Sequence, residues 1–344
     1  MRTRFLTLWA IAGLVLAAAA PVWAVDTPPR HDFPRVGPYE VITGDFHMHT
    51  VHSDGRLITR ERVEESYALG YDAIAITDHG NSKAYRVARY VGGSLGTIVL
   101  CGFETGVANQ EHMNVLGVSA SHTPRNPHRW AEKPGDDNVF YQDEMRRIAA
   151  DGGIIIYNHP HKGFREPVKS GIDQGLLIGI EVKNDVVGKG WNTVESHGTH
   201  CYPDAFDWAL EHNLALFANT DVHGRRSDRP ATTLLWVREK TPEGVMDAFR
   251  GRRTAAWFDG MIWGREALLA ELIGTTVVAT SSGTGTRLAN QGPVPLKGSL
   301  GGGKTFELPA YGEASVDAAA PLDVTWTNVW ISRTANLKTR VGKG

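Results

Sequence analysis

From Gly44 to Gly55 the chain reads Gly-Asp-Phe-His-Met-His-Thr-Val-His-Ser-Asp-Gly. The end of a short strand, Thr43 to His47, enters a turn there, so His47 and His49 project from one side of an extended backbone. Two imidazoles so spaced can grip one divalent cation. Asp54, after a turn marked by Ser53 and Gly55, can add a hard oxygen to that cation or to a neighbour. A lone His-x-His is equally compatible with a polar loop, so the partners elsewhere decide its meaning. Those partners are His79, Glu104, His112, His159, Asp221 and His223. Together they make nine candidate ligands, including six of the 14 histidines. One ion needs fewer, since zinc takes about four ligands and manganese about six, so two or three cations are implied. Paired cations lower the pKa of a shared water and neutralise charge on phosphoryl oxygens, which is hydrolytic chemistry.

The elements that must position these groups follow an alternating pattern. Strand-like runs end at His47, Thr77, Glu104, Val118, Asn158, Lys183 and Asn219, and helix-like segments cover Thr59–Leu69, Val139–Ala150, Asp204–His212 and Pro242–Arg250. Apolar strands alternating with amphipathic helices predict parallel strands joined by crossover helices, an α/β sheet or barrel. Metal-binding residue types recur at the strand ends, and the carboxyl ends of barrel strands are where active sites are built. Beyond about Asp259 the chain turns Gly-, Thr-, Ser- and Val-rich, with alternating runs at Thr275–Thr280 and Val324–Ile331, which predicts a small antiparallel β unit. Gly301-Gly302-Gly303-Lys304-Thr305 lacks the upstream glycine and following helix of a phosphate loop and reads as a hairpin turn.

With 344 residues, 42% of them hydrophobic and 22% charged, the chain can bury a sizeable core. A formal net charge of -2 gives no bulk attraction to nucleic acid or anionic membrane, and no basic nucleic-acid patch is evident, so an anionic substrate must be drawn by a local site. Arg2 and Arg4, the apolar run Phe5–Ala20 and Pro21-Val22-Trp23-Ala24 form a secretory signal cleaved after Ala24. The expected location is the bacterial periplasm or the exterior, with no membrane attachment after cleavage. Two cysteines, Cys101 and Cys201, make no disulfide framework, and Cys101 reads as a buried small hydrophobe.

Taken in order, Asp45-Phe46-His47-Met48-His49 with Asp54, Thr77-Asp78-His79, Glu104, His112-Met113-Asn114, Asn158-His159-Pro160 and Asp221-Val222-His223 resemble the motifs of the polymerase and histidinol phosphatase (PHP) family. The resemblance runs from Val41 to Trp257. It implies a distorted (β/α)7 TIM-like barrel over residues 41–260, followed by the small β-rich C-terminal domain at 268–344. It also implies three divalent ions per chain, Mn²⁺, Zn²⁺ or Fe²⁺. By that resemblance His47, His49, Glu104 and Asp221 hold the first metal, Asp54, His79 and His223 the second, and His112 and His159 the third with Glu104 bridging. The activity implied is hydrolysis of phosphate esters of a small phosphorylated metabolite or nucleotide by a metal-bridging hydroxide. An exonuclease, another phosphodiesterase or an amidohydrolase using the same centre is the alternative, and a binding module built on the β tail is a third reading.

His52 is expected outside the ligand set, because Asp54 already fills the ligand place. Asp45, Asp78, Asn114 and Asn158 flank ligands and either orient them by hydrogen bonds or serve as turn residues. Lys162, beside His161, and Arg225-Arg226 emerge next to ligands and either clamp a substrate phosphate or face solvent. The loop Gly188–Cys201, with His197 and His200, is a candidate lid or source of a leaving-group acid. Gly251-Arg252-Arg253-Thr254 resembles the closing turn of the family barrel.

Overall fold

The computed structural model describes residues 31–107, 111–126, 129–135, 138–186, 200–282 and 285–342. The expected signal segment 1–24 and residues 188–199 of the candidate lid, His197 among them, lie outside the described residues. The barrel region runs β1 (Glu40–Asp45), α1 (Thr59–Ala68), β2 (Ala73–Ala75), α2 (Tyr85–Leu95), β3 (Ile98–Leu100), β4 (Gly102–Val107) and β5 (Glu111–Leu116). It continues with α3 (Tyr141–Ala150), β6 (Ile154–Tyr157), α4 (Glu166–Asp173), β7 (Leu177–Asn184), α5 (Pro203–Glu211), β8 (Ala215–Asn219), β9 (Ala231–Val237), α6 (Pro242–Arg250), β10 (Thr254–Phe258) and β11 (Met261–Gly264). The remainder is α7 (Glu266–Thr276), β12 (Val277–Ser282), β13 (Gly285–Asn290), β14 (Leu296–Ser299), β15 (Thr305–Leu308), β16 (Glu313–Val316), β17 (Leu322–Ser332) and β18 (Ala335–Val341).

Two curved sheets face each other as a distorted α/β barrel. One carries β10-β9-β1-β2-β3 and the other β4-β5-β6-β7-β8. The first seam is crossed by the chain itself, which passes from β3 to β4 through Cys101. At the opposite seam Leu216 N donates to Thr254 Oγ1 at 2.8 Å, Ala218 N donates to Thr233 Oγ1 at 3.0 Å, and that hydroxyl donates back to Ala218 O at 3.0 Å. Threonine hydroxyls thus satisfy buried backbone groups where the ladder stops, and the backbone ladder itself is not closed.

The expectation of parallel strands throughout is corrected by the pairing. β1-β2-β3 and β6-β7-β8 are parallel, whereas β4-β5-β6 and β1-β9-β10 are antiparallel. For β4 and β5 the connection decides it, since only three residues separate the two strands and a parallel pair needs a crossover of about a dozen. Glu104 and His112 accordingly sit inside β4 and β5, paired strands, and not at strand ends.

The four predicted helices form, and the described residues add three that the sequence reading did not name, α2, α4 and α7. The buried face of α2 includes Gly92. A Cβ there would stand 2.5 Å from Val99 Cγ2, so only glycine lets this helix lie against β3. Thr275 and Thr276, read as the start of a strand, instead end α7, and the strand begins at Val277. Gly301–Gly303 turns the β14–β15 hairpin. Cys101 and Cys201 are both buried and no disulfide joins them.

The C-terminal strands are tied to the barrel. β17 pairs in parallel with β11 through Ile262↔Val329 and Trp263↔Trp330, extending the first sheet, while β12-β13-β16 form a separate small sheet. Trp236, Leu234 and Ile262 of the barrel share one apolar cluster with Leu269, Leu272, Trp326 and Leu337 of the tail. Removing residues 268–344 should therefore yield insoluble or unfolded protein. Each large apolar side chain laid bare forfeits about 1.5–3 kcal/mol, and a few of them match a total stability of about 5–15 kcal/mol. Soluble yield and thermal unfolding check this; a truncated barrel that melts like the full chain overturns it.

Candidate metal centre

The nine sequence-predicted ligands meet at one end of the two sheets. Backbone hydrogen bonds stitch together the segments that carry them: Asp221 N donates to His47 O at 2.8 Å, His49 N to Val222 O at 3.0 Å, Gly80 N to Glu104 O at 2.8 Å, and Asn158 N to His112 O at 3.0 Å. His159 and Asp221 adopt positive φ of 24° and 54°, a costly backbone for non-glycine residues that the packed surroundings must enforce. Their side chains are thereby turned inward just past β6 and β8.

Four overlapping sets of ligand atoms each lie within 4.8 Å of one another: His49 with Asp54, His79 and His223; His47 with His49 and Glu104; His47 with His159 and Asp221; and Glu104 with His112 and His159. His49 thus also joins the group expected from Asp54, His79 and His223. Glu104 is the hub. Its Oε1 lies 3.3 Å from His47 Nε2, 3.2 Å from His112 Nδ1 and 3.4 Å from His159 Nε2, and its Oε2 lies 2.8 Å from His79 Nδ1 and 3.6 Å from His49 Nε2. Asp221 Oδ1 stands 3.2 Å from His47 Nε2 and 3.0 Å from His49 Nε2. Burial falls off across the cluster: His47, His49, Glu104, His159 and Asp221 are buried, His79, His112 and His223 are partly exposed, and Asp54 is exposed. The open side is therefore the Asp54–His79–His112–His223 rim.

The donor set fits divalent cations. His47 Nδ1 lies 2.8 Å from Glu181 Oε1, and an ionised carboxylate only accepts, so the proton sits on Nδ1 and the Nε2 lone pair faces the cluster. The Nε2 atoms of His47 and His49 are buried without a hydrogen bond of ordinary geometry. Lone pairs and carboxylate oxygens gathered this closely repel unless positive charge lies between them.

The electrostatics point the same way. Burial would raise the Glu104 carboxyl, but the charge of His47 and the adjacent imidazoles of His112 and His159 hold it well below the usual carboxylate range. Asp221 is likewise held low against its burial by His47 and His49. Burial would lower His47, yet Asp221, Glu181 and Glu104 push it well above its ordinary value. A proton on His47 and a cation among these groups are alternatives, so metal binding competes with protons.

Of the flanking residues, Asn158 orients a ligand directly, donating Nδ2 to Glu104 Oε1 at 2.9 Å. Asn114 bridges Phe46 O and Asn158. Asp78 accepts from Thr50 N, Thr50 Oγ1 and Ser53 Oγ, shaping the turn between His49 and Asp54. Asp45 accepts from Thr220 Oγ1 at 2.6 Å and Thr220 N at 3.2 Å, pinning the turn before Asp221.

Burial raises the Asp45 carboxyl from 3.8 to about 6. Between those values the folded state binds more protons than the unfolded one, so stability falls as pH rises through this window and the loss is complete above it. In metal-free protein the slope of unfolding free energy between pH 4 and 6 should be flatter for Asp45→Asn, by at most about 3 kcal/mol across the window. Urea denaturation at each pH checks it, and parallel curves for the two proteins overturn it.

Two buried groups escaped the reading of the sequence. Glu181, in β7, accepts from His47 Nδ1, Asn219 Nδ2, His159 N and Asn184 Nδ2. Its only signal was a carboxylate inside the apolar run Ile178–Val182. Arg62, fully buried on α1, donates Nε to His49 O at 3.2 Å and Nη2 to Gly224 O at 2.8 Å, tying the first ligand turn to the last.

The expected phosphate contacts are placed as follows. Arg226 is engaged by Asp185 and Asp228, so its guanidinium is committed to carboxylates. Arg225 is exposed, with Glu61 3.5 Å away. Lys162 is exposed on the turn after His159. His52 is exposed, its carbonyl accepting from Asn81. His200 donates Nδ1 to Asp185 O at 2.7 Å.

A family model described as the PHP domain matches residues 45–170. The PHP-domain match is confined to residues 45–170, just over a third of the chain. The match spans the ligands from His47 to His159, while Glu181, Asp221 and His223 lie C-terminal to it. A solved two-domain protein from Bacteroides vulgatus, described as containing a predicted PHP-like metal-dependent phosphoesterase, is similar over 91% of this chain and 98% of its own, with TM-score 0.76 and 23% identity. That likeness extends the shared fold through the C-terminal strands. A putative metal-dependent phosphoesterase from Bifidobacterium adolescentis is similar over 54% of this chain and 90% of its own, with TM-score 0.40 and 17% identity. An uncharacterized protein of Methanocaldococcus jannaschii is 52% identical over 42 residues, 12% of this chain and 19% of that protein, so the match spans about a fifth of the relative's length.

Proposed function

We propose that this PHP-domain protein is a metal-dependent hydrolase of phosphate esters, acting on a small phosphorylated metabolite or nucleotide with three divalent ions, Mn²⁺, Zn²⁺ or Fe²⁺. The observation that carries the reading is the set of four overlapping imidazole and carboxylate groups sharing Glu104, His47, His49 and His159 at one end of the PHP barrel. Mixed imidazole and carboxylate donors suit several first-row metals, which is why the metal is left as a set.

Divalent cations at such a site supply Lewis acidity and an activated water. The residues of the chain supply the rest. Glu181 keeps the His47 proton on Nδ1 and so keeps Nε2 available. Asn158 holds the Glu104 carboxylate in one orientation. Arg62 and Asp45 hold the turns that bear His49 and Asp221 at fixed separation. The exposed rim at Asp54, His79, His112 and His223 leaves one side through which an ester can approach. The same reading holds that the chain is exported, supported by Arg2, Arg4 and the apolar run ending at Ala20. Among the described residues no helix is long and apolar enough to cross a membrane.

Purified protein loaded with Mn²⁺ should hydrolyse an aryl phosphate or a mononucleotide and lose that activity on chelation. Absence of turnover across a panel of phosphate mono- and diesters with Mn²⁺, Zn²⁺ and Fe²⁺ overturns the proposal.

A further inference from the structure

A cleft of about 530 Å³ opens beside the candidate metal centre. It begins at Gly80 and Asn81, the residues that follow His79, and Asn81 Nδ2 donates to His79 O at 2.9 Å. One wall is the start of α2, presenting Lys83, Tyr85 and Arg86. The other is the segment after β5 that carries His122 and Thr123.

That second wall is braced from behind. Glu144, fully buried on α3, holds Arg125 at 2.8 Å and also pairs with Arg147. Arg147 donates to Thr123 O at 2.7 Å and lies 3.0 Å from His122 Nε2, while His122 Nδ1 meets Asp151 Oδ2 at 3.0 Å. The charges of this wall are matched among themselves. The α2 wall differs: Lys83 and Arg86 are exposed, and neither side chain makes a hydrogen bond or ion pair among the described residues. Among the described residues that line the cleft there is no carboxylate. Arg226, by contrast, is already occupied by Asp185 and Asp228.

Two cations with no partner among the described residues, over a cleft that no described carboxylate lines, attract an anion, even in a chain whose formal net charge is -2. We propose that this cleft is a subsite for a second anionic group, a carboxylate or phosphate on the leaving-group side of the substrate, held by Lys83 and Arg86 while the ester phosphate lies at the metal centre. The inference rests on the phosphoesterase reading. Arg86 offers a planar fork that matches either anion, and Lys83 adds a point charge. The substrate class is therefore a phosphate ester whose leaving group carries its own negative charge.

The test compares 4-carboxyphenyl phosphate and 1,4-phenylene bisphosphate with the neutral isostere 4-carbamoylphenyl phosphate, in metal-loaded wild type and in Lys83→Ala/Arg86→Ala. Comparing the charged-to-neutral ratio of kcat/KM between the two proteins cancels the intrinsic reactivity of the phenols. The ratio should fall about tenfold in the variant, the size of a charge-assisted hydrogen bond, with the change in KM. Which charged probe loses more separates a carboxylate from a phosphate subsite. Metal content equal to wild type certifies the fold of the variant. An unchanged ratio overturns the subsite. If wild type turns over none of the three probes, the phosphoesterase reading has failed. Calorimetric binding of the same probes then decides the subsite: discrimination lost in the variant supports it, and equal binding of charged and neutral probes to wild type overturns it.

Discussion

Glu104→Gln is expected to lower metal content per chain and to reduce kcat/KM at least about a thousandfold, equivalent to about 4 kcal/mol of transition-state stabilisation. The carboxylate stands within 3.6 Å of nitrogens of His47, His49, His79, His112 and His159. It belongs to two of the four ligand groups. A neutral amide of the same shape keeps the packing, but it bridges cations poorly and turns a donor nitrogen toward imidazoles that present lone pairs. Elemental analysis of the purified variant beside its kinetics is the check. Unchanged metal stoichiometry rules out the bridging role, even if the rate falls. The reverse pattern, lost metal with the fold intact by circular dichroism, is the predicted one.

The second large effect belongs to a residue that touches no reacting group. Glu181 receives four hydrogen bonds and donates none: Oε1 accepts from His47 Nδ1 at 2.8 Å and Asn219 Nδ2 at 2.9 Å, and Oε2 accepts from His159 N at 2.7 Å and Asn184 Nδ2 at 3.0 Å. Glu181→Gln replaces one of those oxygens with an NH₂ that confronts two donors, leaving buried groups unsatisfied at about 1–3 kcal/mol each. It also weakens the hold on the His47 tautomer, a kind of loss that typically costs about 10- to 100-fold in metal affinity. The metal concentration giving half-maximal activity should rise by that factor and the Tm should fall, with part of the rate recovered at saturating metal. A variant whose metal titration superimposes on wild type shows that Glu181 is structural only.

The ligand chemistry was legible in the chain because metal sites demand particular side chains. His47 and His49 two apart on an extended segment, Asp54 after its turn, and Asp221-Val222-His223 stand out wherever the chain goes between them. The same is true of α3, α5 and α6, whose apolar residues recur on one face and are therefore local information, whereas α1 buries Thr59, Arg62 and Ser66 beside Val63. Pairing direction is not local: a run such as Gly102–Val107 has the same composition whether its neighbour is parallel or antiparallel, and the three-residue spacing to the next strand decided it. Gly92 disguised α2 for a related reason, since its function is to admit Val99, a residue of another element.

What residue types and spacing settled by themselves was which atoms can bind metal and that too many are present for one ion. What only the tertiary structure decided was how they are held and what stands beside them. Glu181 and Arg62 look like ordinary charges until burial removes the water that would otherwise satisfy them. Arg226 is a surface cation in sequence until the fold brings Asp185 and Asp228 to it, whereas no described carboxylate lines the cleft under Lys83. A side chain carries its own pKa and donors, but its charge acts only through the partners and solvent that distant segments supply.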